Sequence, residues 1–199
     1  MKFHKLISVI LHPIVIPTIG VLLFLALTPN NISKERQYLL LSVIFFSTYI
    51  VPIISLVILK TLGVINSFQV ETIKERKIPL FLMLLIFYVL GRFLINIPDF
   101  KDLGILFYGT NLALIVIYVL FFFNIKTSLH IVSMSSTLGF FLIYGTANNI
   151  SILPIAIILI ALTGLLGSSR LQLNAHKPLE VYLAFFLGIF TQYLGYILL

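Results

Sequence analysis

Long apolar runs separated by short polar breaks make up most of the chain, and the breaks divide it into seven candidate membrane spans. They run from about Leu6 to Leu27, Tyr38 to Leu59, Pro79 to Ile97, Gly104 to Phe123, His130 to Tyr144, Ile150 to Leu166 and Pro178 to Leu199. Most approach the roughly 20 residues that a helix needs to cross a bilayer. The first run is longer than the apolar region of a signal peptide and no small-x-small cleavage site follows, so a retained helix is expected. His12, Pro13 and Pro17 fall inside it, and Pro52 falls inside the second. The prolines read as kinks, and His12 reads as an interfacial or bundle-facing residue beside one rather than as a ligand. Pro29, Asn30 and Asn31, followed by Lys34, Glu35 and Arg36, make a polar turn, and Ala147 to Asn149 make another. Pro79 and Pro178 suit the first turn of a helix, where a missing N–H is no loss.

Composition sharpens this picture into a class. The chain of 199 residues is 60% hydrophobic and 10% charged, with a mean hydropathy of +1.16, whereas a soluble domain is about 25% charged. The expected fold is therefore all-α: a polytopic transmembrane helix bundle forming one integral-membrane domain, 1–199, with no soluble domain. There is no cysteine, which removes disulfides, thiolate metal sites and cysteine nucleophiles. The net charge of +7 is scattered between apolar runs with no basic tract, so nucleic acid is not an expected partner. Anionic phosphate groups and membrane lipids are.

Counting spans places the polar breaks relative to one another. Two crossings separate Lys74–Pro79 from Lys126–His130, and two more separate Lys126–His130 from Ser169–His176, so all three emerge on one membrane face, together with the N-terminus. Taken alone, the stretch from Lys60 to Lys77 reads as a solvated loop obeying the positive-inside bias. Asp99 and Asp102 flank Lys101 and read as a surface turn rather than a magnesium-diphosphate site. Ser133, Ser136, Thr137 and Gly139 sit where close helix packing wants small side chains, as do Gly164, Gly167, Gly188 and Gly195 in the last two spans.

The densest polar stretch, GSSRLQLNAHKPLEV at Gly167 to Val181, gathers a hydroxyl, a guanidinium, an imidazole, an ammonium and a carboxylate between two apolar runs. Ser169 and Arg170 precede His176 by seven and six residues, and Glu180 follows by four, one helical turn if a helix starts near Pro178. A carboxylate so placed orients and polarises an imidazole. The spacing SRxxxxxH followed by an acid resembles the third signature of the type 2 phosphatidic acid phosphatase superfamily, enzymes that hydrolyse phosphate esters and anhydrides. Lys126 to His130 (KTSLH) resembles the PSGH signature, with Thr127 and Leu129 where Pro and Gly are expected. Lys74 to Leu80 (KERKIPL) is similar to the basic KxxxxxxRP signature, with Ile78 in place of Arg and Glu71 where the leading Lys would fall. The three occur in the family's order.

The resemblance implies a six-helix core within the bundle and a phosphoric monoester or diphosphate hydrolase. In such an enzyme His176 is the nucleophile, Glu180 holds its other nitrogen, and His130 is the acid and base. Arg170 and Lys126, with Arg76, Lys77 and Lys74 from the looser motif, hold phosphate oxygens, while Ser128 and Ser169 add donors. No cofactor and no required metal are expected, since the four histidines are spread along the chain and acids are few. The substrate class would be a lipid phosphate or isoprenoid diphosphate, and the setting a bacterial inner membrane. The alternative is a catalytically decayed relative that binds lipid headgroups or transports an anion. Charge bias does not orient the site: without the cations of the three motifs, Lys2, Lys5 and Lys60 stand against Lys34, Arg36, Arg92 and Lys101.

Overall fold

The computed structural model describes residues 1–27, 32–70 and 72–199, so the turn residues Pro29, Asn30 and Asn31 and the motif position Glu71 lie outside the described residues. Its elements are α1 (Lys2–Ile10), α2 (Ile16–Leu27), α3 (Lys34–Phe45), α4 (Val51–Thr61), α5 (Ile73–Ile95), α6 (Lys101–Leu120), α7 (Leu129–Asn148), α8 (Leu153–Gln172) and α9 (Pro178–Leu198), with no strand among the described residues. Among the described residues six helical segments are long and apolar enough to cross a membrane: Lys34–Thr61, Ile73–Ile95, Pro98–Phe123, Leu129–Asn148, Leu153–Gln172 and Pro178–Leu198. The chain is an all-α, polytopic transmembrane bundle.

The first expected span is broken. Pro13 has no N–H to donate and disfavours helical backbone at His12, so α1 ends at Ile10 and α2 begins only at Ile16. At 12 residues α2 is about 18 Å long, well short of the ~30 Å hydrocarbon core. α1 packs on α8 with Ser8 turned inward, while Phe3, Leu6, Val9 and Ile10 are exposed and flanked by Lys2 and Lys5. That is the pattern of a helix lying in the membrane interface. Two spans still separate each polar segment from the next, and the start of α3 is at the far end of the bundle, where Arg36 pairs with Asp99 beside α6 at 2.7 Å. Asp99 is thus in a surface turn.

Three further boundaries differ from expectation for local reasons. α3 and α4 form one long helix through a π turn at Phe46–Ile50, where the Val51 N–H reaches back five residues to the Phe46 carbonyl just before Pro52. α5 starts at Ile73, leaving Pro79 inside the helix: the Thr72 hydroxyl accepts the Glu75 N–H at 3.3 Å and the Glu75 carboxylate accepts the Thr72 N–H at 3.4 Å, a reciprocal cap. α8 runs past Leu166 to Gln172 and so carries Ser169 and Arg170 on its last turn.

α7 and α9 make the closest seam. A Cβ on Gly188 would collide with the Ser135 hydroxyl and come within 2.9 Å of the Ser136 nitrogen and the Val132 carbonyl oxygen. Ser135 donates across the seam to the Ala184 carbonyl at 3.2 Å. A Cβ on Gly195 would come within 3.0 Å of the Gly109 Cα on α6. Gly167 packs against Val181, but Gly164 has nothing near it, so that glycine does not serve helix approach. Backbones this close gain dispersion contact, the main attraction between helices surrounded by lipid.

Candidate functional site

The loop between α8 and α9 is five residues, 173–177. Asn174 takes a left-handed conformation, φ 51, and Ala175 N–H caps the Arg170 carbonyl at 3.1 Å, which turns the chain sharply back. His176 is thereby driven inward until it is 8% exposed. Pro178 opens α9, and Glu180 in its first turn meets His176: Nδ1 lies 2.6 Å from Oε2. With Nδ1–H donated to the carboxylate, Nε2 keeps its lone pair. Burial lowers the His176 pKa from 6.5 to about 4, against the pull of the Glu180 hydrogen bond and with help from the positive charges of Arg76, Arg170 and Lys126. The ring is neutral at neutral pH.

Those three cations come from three separate segments and tie them together. Arg76 lies on the buried face of α5 with Leu80 and Phe87, and its Nε and Nη1 donate to the carbonyls of Val70 at 2.8 Å and Thr127 at 3.4 Å. Lys126 Nζ donates to the Ala175 carbonyl at 3.2 Å. Arg170 Nη1 donates to Ser8 Oγ at 2.7 Å, and its Nε is buried without a partner. The Thr127 and Ser128 hydroxyls, just before α7, are also buried without partners. Unpaired polar atoms in such number at one place call for a ligand or water. His130, in the first turn of α7, has Nε2 at 3.1 Å from the Ser8 carbonyl oxygen and 3.4 Å from its hydroxyl.

The helical start of α5 decides which of its basic residues enter. Residues 76, 80 and 87 share one face, so Lys74 is exposed and Lys77 turns to the Phe122 ring, 5.3 Å from its centroid. Neither joins the cluster. Ser169 is fully buried but faces α1, its hydroxyl 3.1 Å from His4 Nδ1. His176, Glu180, His130, Arg170, Lys126, Arg76 and Ser128 are therefore gathered at one end of the bundle.

Sequence reasoning missed the N-terminal contribution. His12 lines the same cavity as His130, and the two rings meet edge to face with centroids 5.0 Å apart. Ser8 holds Arg170 and His130, and His4 holds Ser169. The signal was present: His4, Ser8 and His12 recur every four residues in a run that is apolar but for Lys5, one face of a helix.

The cavity beneath holds about 180 Å³. His12, His130, Arg170, Arg76 and His176 line it together with many apolar side chains, among them Leu80, Met83, Ile86, Phe87 and Leu114. From Arg76 to Phe87 along α5 the wall descends about 16 Å, half the hydrocarbon thickness of a bilayer. Among the described residues no group of three or more His, Asp and Glu is arranged to hold a metal ion. Comparison with protein-family models, with curated proteins and with solved structures finds no match to this chain.

Proposed function

We propose that the chain is a membrane-embedded phosphatase that hydrolyses a lipid phosphate or isoprenoid diphosphate through a phosphohistidine. The observation that carries this reading is a neutral imidazole, backed by a carboxylate, among three cations at the head of an apolar slot one leaflet deep. A phosphate needs the cations, a nucleophile needs the lone pair, and a lipid tail needs the slot. The three segments that resemble the type 2 phosphatidic acid phosphatase signatures, the first two with altered positions, supply these side chains in the family's order.

In the reaction, the His176 Nε2 lone pair attacks phosphorus and the bond from phosphorus to the lipid oxygen breaks. In the form of the enzyme that reacts, His130 carries a proton on the nitrogen not held by Ser8 and gives it to the departing oxygen. Water then attacks the phosphohistidine, returns its proton to His130, and the P–N electron pair goes back to His176. Arg170, Lys126 and Arg76 hold the equatorial oxygens throughout, which is where most of the rate enhancement of phosphoryl transfer arises. The test is phosphate release by detergent-purified protein across a panel of lipid phosphates and diphosphates with chelator present. Release accompanied by an acid-labile phosphoprotein is expected. Folded protein that releases none would leave the headgroup-binding alternative.

A further inference from the structure

Ser8 is the one buried residue of α1, 7% exposed, and it touches both arms of the polar cluster. Its hydroxyl takes a hydrogen bond from Arg170 Nη1 at 2.7 Å. Its carbonyl lies 3.1 Å from His130 Nε2 and is free to accept from it, because Pro13 ends the helix and leaves the last carbonyls of α1 without intrahelical partners.

We propose that Ser8 is a positioning residue: its side chain sets which edge of Arg170 meets phosphate, and its carbonyl sets the tautomer of His130. With Nη1 committed to Ser8, the adjoining edge of the guanidinium, Nε with Nη2, is the one left for an anion, and Nε is indeed buried without a partner. Two parallel N–H groups on one edge are the geometry that grips a phosphate bidentately. With Nε2–H donated to the Ser8 carbonyl, Nδ1 of His130 is the nitrogen that faces the reaction. The site is thus incomplete until α1 docks on α8. An arginine held only by solvent would instead present any of its edges. This inference rests on the proposed phosphate chemistry, yet its test needs no turnover.

The experiment is a double-mutant cycle on inorganic phosphate binding to full-length, detergent-purified protein, comparing wild type, Ser8→Ala, Arg170→Lys and the double variant by calorimetry. Alanine suits a helix, so Ser8→Ala keeps α1. Ser8→Ala is expected to weaken binding about tenfold in the wild-type background, as for loss of a hydrogen bond to a charged group, and less than about twofold in the Arg170→Lys background, where the edge it selects no longer exists. A merely structural serine would cost the same in both. Equal losses, no loss, or a wild type that does not bind phosphate overturn the positioning of Arg170. Nitrogen-15 NMR of histidine-labelled wild type should show His130 protonated at Nε2, and an Nδ1–H tautomer overturns the role of the carbonyl. A coupled cycle in a protein that hydrolyses no lipid phosphate would sink the phosphatase reading and leave the role of Ser8 intact.

Discussion

The two histidines at the polar end of the bundle are supported in opposite ways. His176 takes its partner from four residues along its own segment, a carboxylate at 2.6 Å. His130 takes its partner from α1, 122 residues away in sequence, and that partner is a backbone carbonyl at 3.1 Å with a hydroxyl at 3.4 Å. A carboxylate beside a neutral ring strengthens its lone pair, which suits attack on phosphorus. A carbonyl fixes the ring without charge, which suits a group that must both give and take a proton. The difference separates a local unit, readable in a short motif, from a unit assembled only by the fold.

The sharpest way to break that contrast is His176→Ala, which should drop phosphate release to background for every substrate, since no covalent intermediate can form. His130→Ala comes next and should depend on the leaving group. With a lipid alkoxide the loss should reach the 10²–10⁴-fold typical of general acid catalysis, whereas an activated aryl phosphate departs largely unaided and should lose far less. With that activated substrate the variant should accumulate acid-labile phosphoenzyme. Equal losses on both substrates, with nothing trapped, would make His130 a binding residue only.

A third measurement probes the burial of His176 and needs no substrate. Its pKa is about 4 in the folded protein against 6.5 for the free group. The unfolded chain therefore binds the extra proton between those values, so stability is fully present above about pH 6.5 and is lost as pH falls toward about 4. The unfolding free energy in detergent should fall across that window, by a few kcal/mol at most, with a matching fall in Tm. The shift should shrink in His176→Gln, and an identical shift in that variant would assign it to other groups. The smallest effect is expected from Lys74→Ala and Lys77→Ala. Both side chains point away from the cluster, so kcat/KM should stay within about twofold, while Arg76→Ala in the same assay should cost at least tenfold.

What could be read in the sequence follows the same division. The bundle was legible because apolar runs of span length have few other uses. The pairing of His176 with Glu180 was legible because both belong to one turn beside Pro178. Choosing Arg76 over Lys74 and Lys77 was not, since it depends on the phase of α5, and Pro79 marked the wrong start. The pattern Thr72-x-x-Glu75 pointed to the true one. The break at Pro13 split a run that looked continuous, and only packing on α8 reveals what the freed segment touches. His4, Ser8 and His12 lie more than a hundred residues from the side chains they meet, a distance no local period can bridge.

The seam at Gly188 bears on how this chain can drift. α7 carries His130 at its start and α9 carries Glu180 at its start, so the depth at which the two helices interlock sets the separation of the two histidine arms. Trimming Ser135 would remove one obstacle to a side chain at 188, but the Ser136 nitrogen and the Val132 oxygen would remain within 2.9 Å of the new carbon. No single compensating substitution clears backbone. In a saturation library under selection for the intact protein, position 188 should therefore be closed to every residue except glycine, while lipid-facing neighbours on the same helix, such as Phe186 and Phe190, accept a wide apolar repertoire.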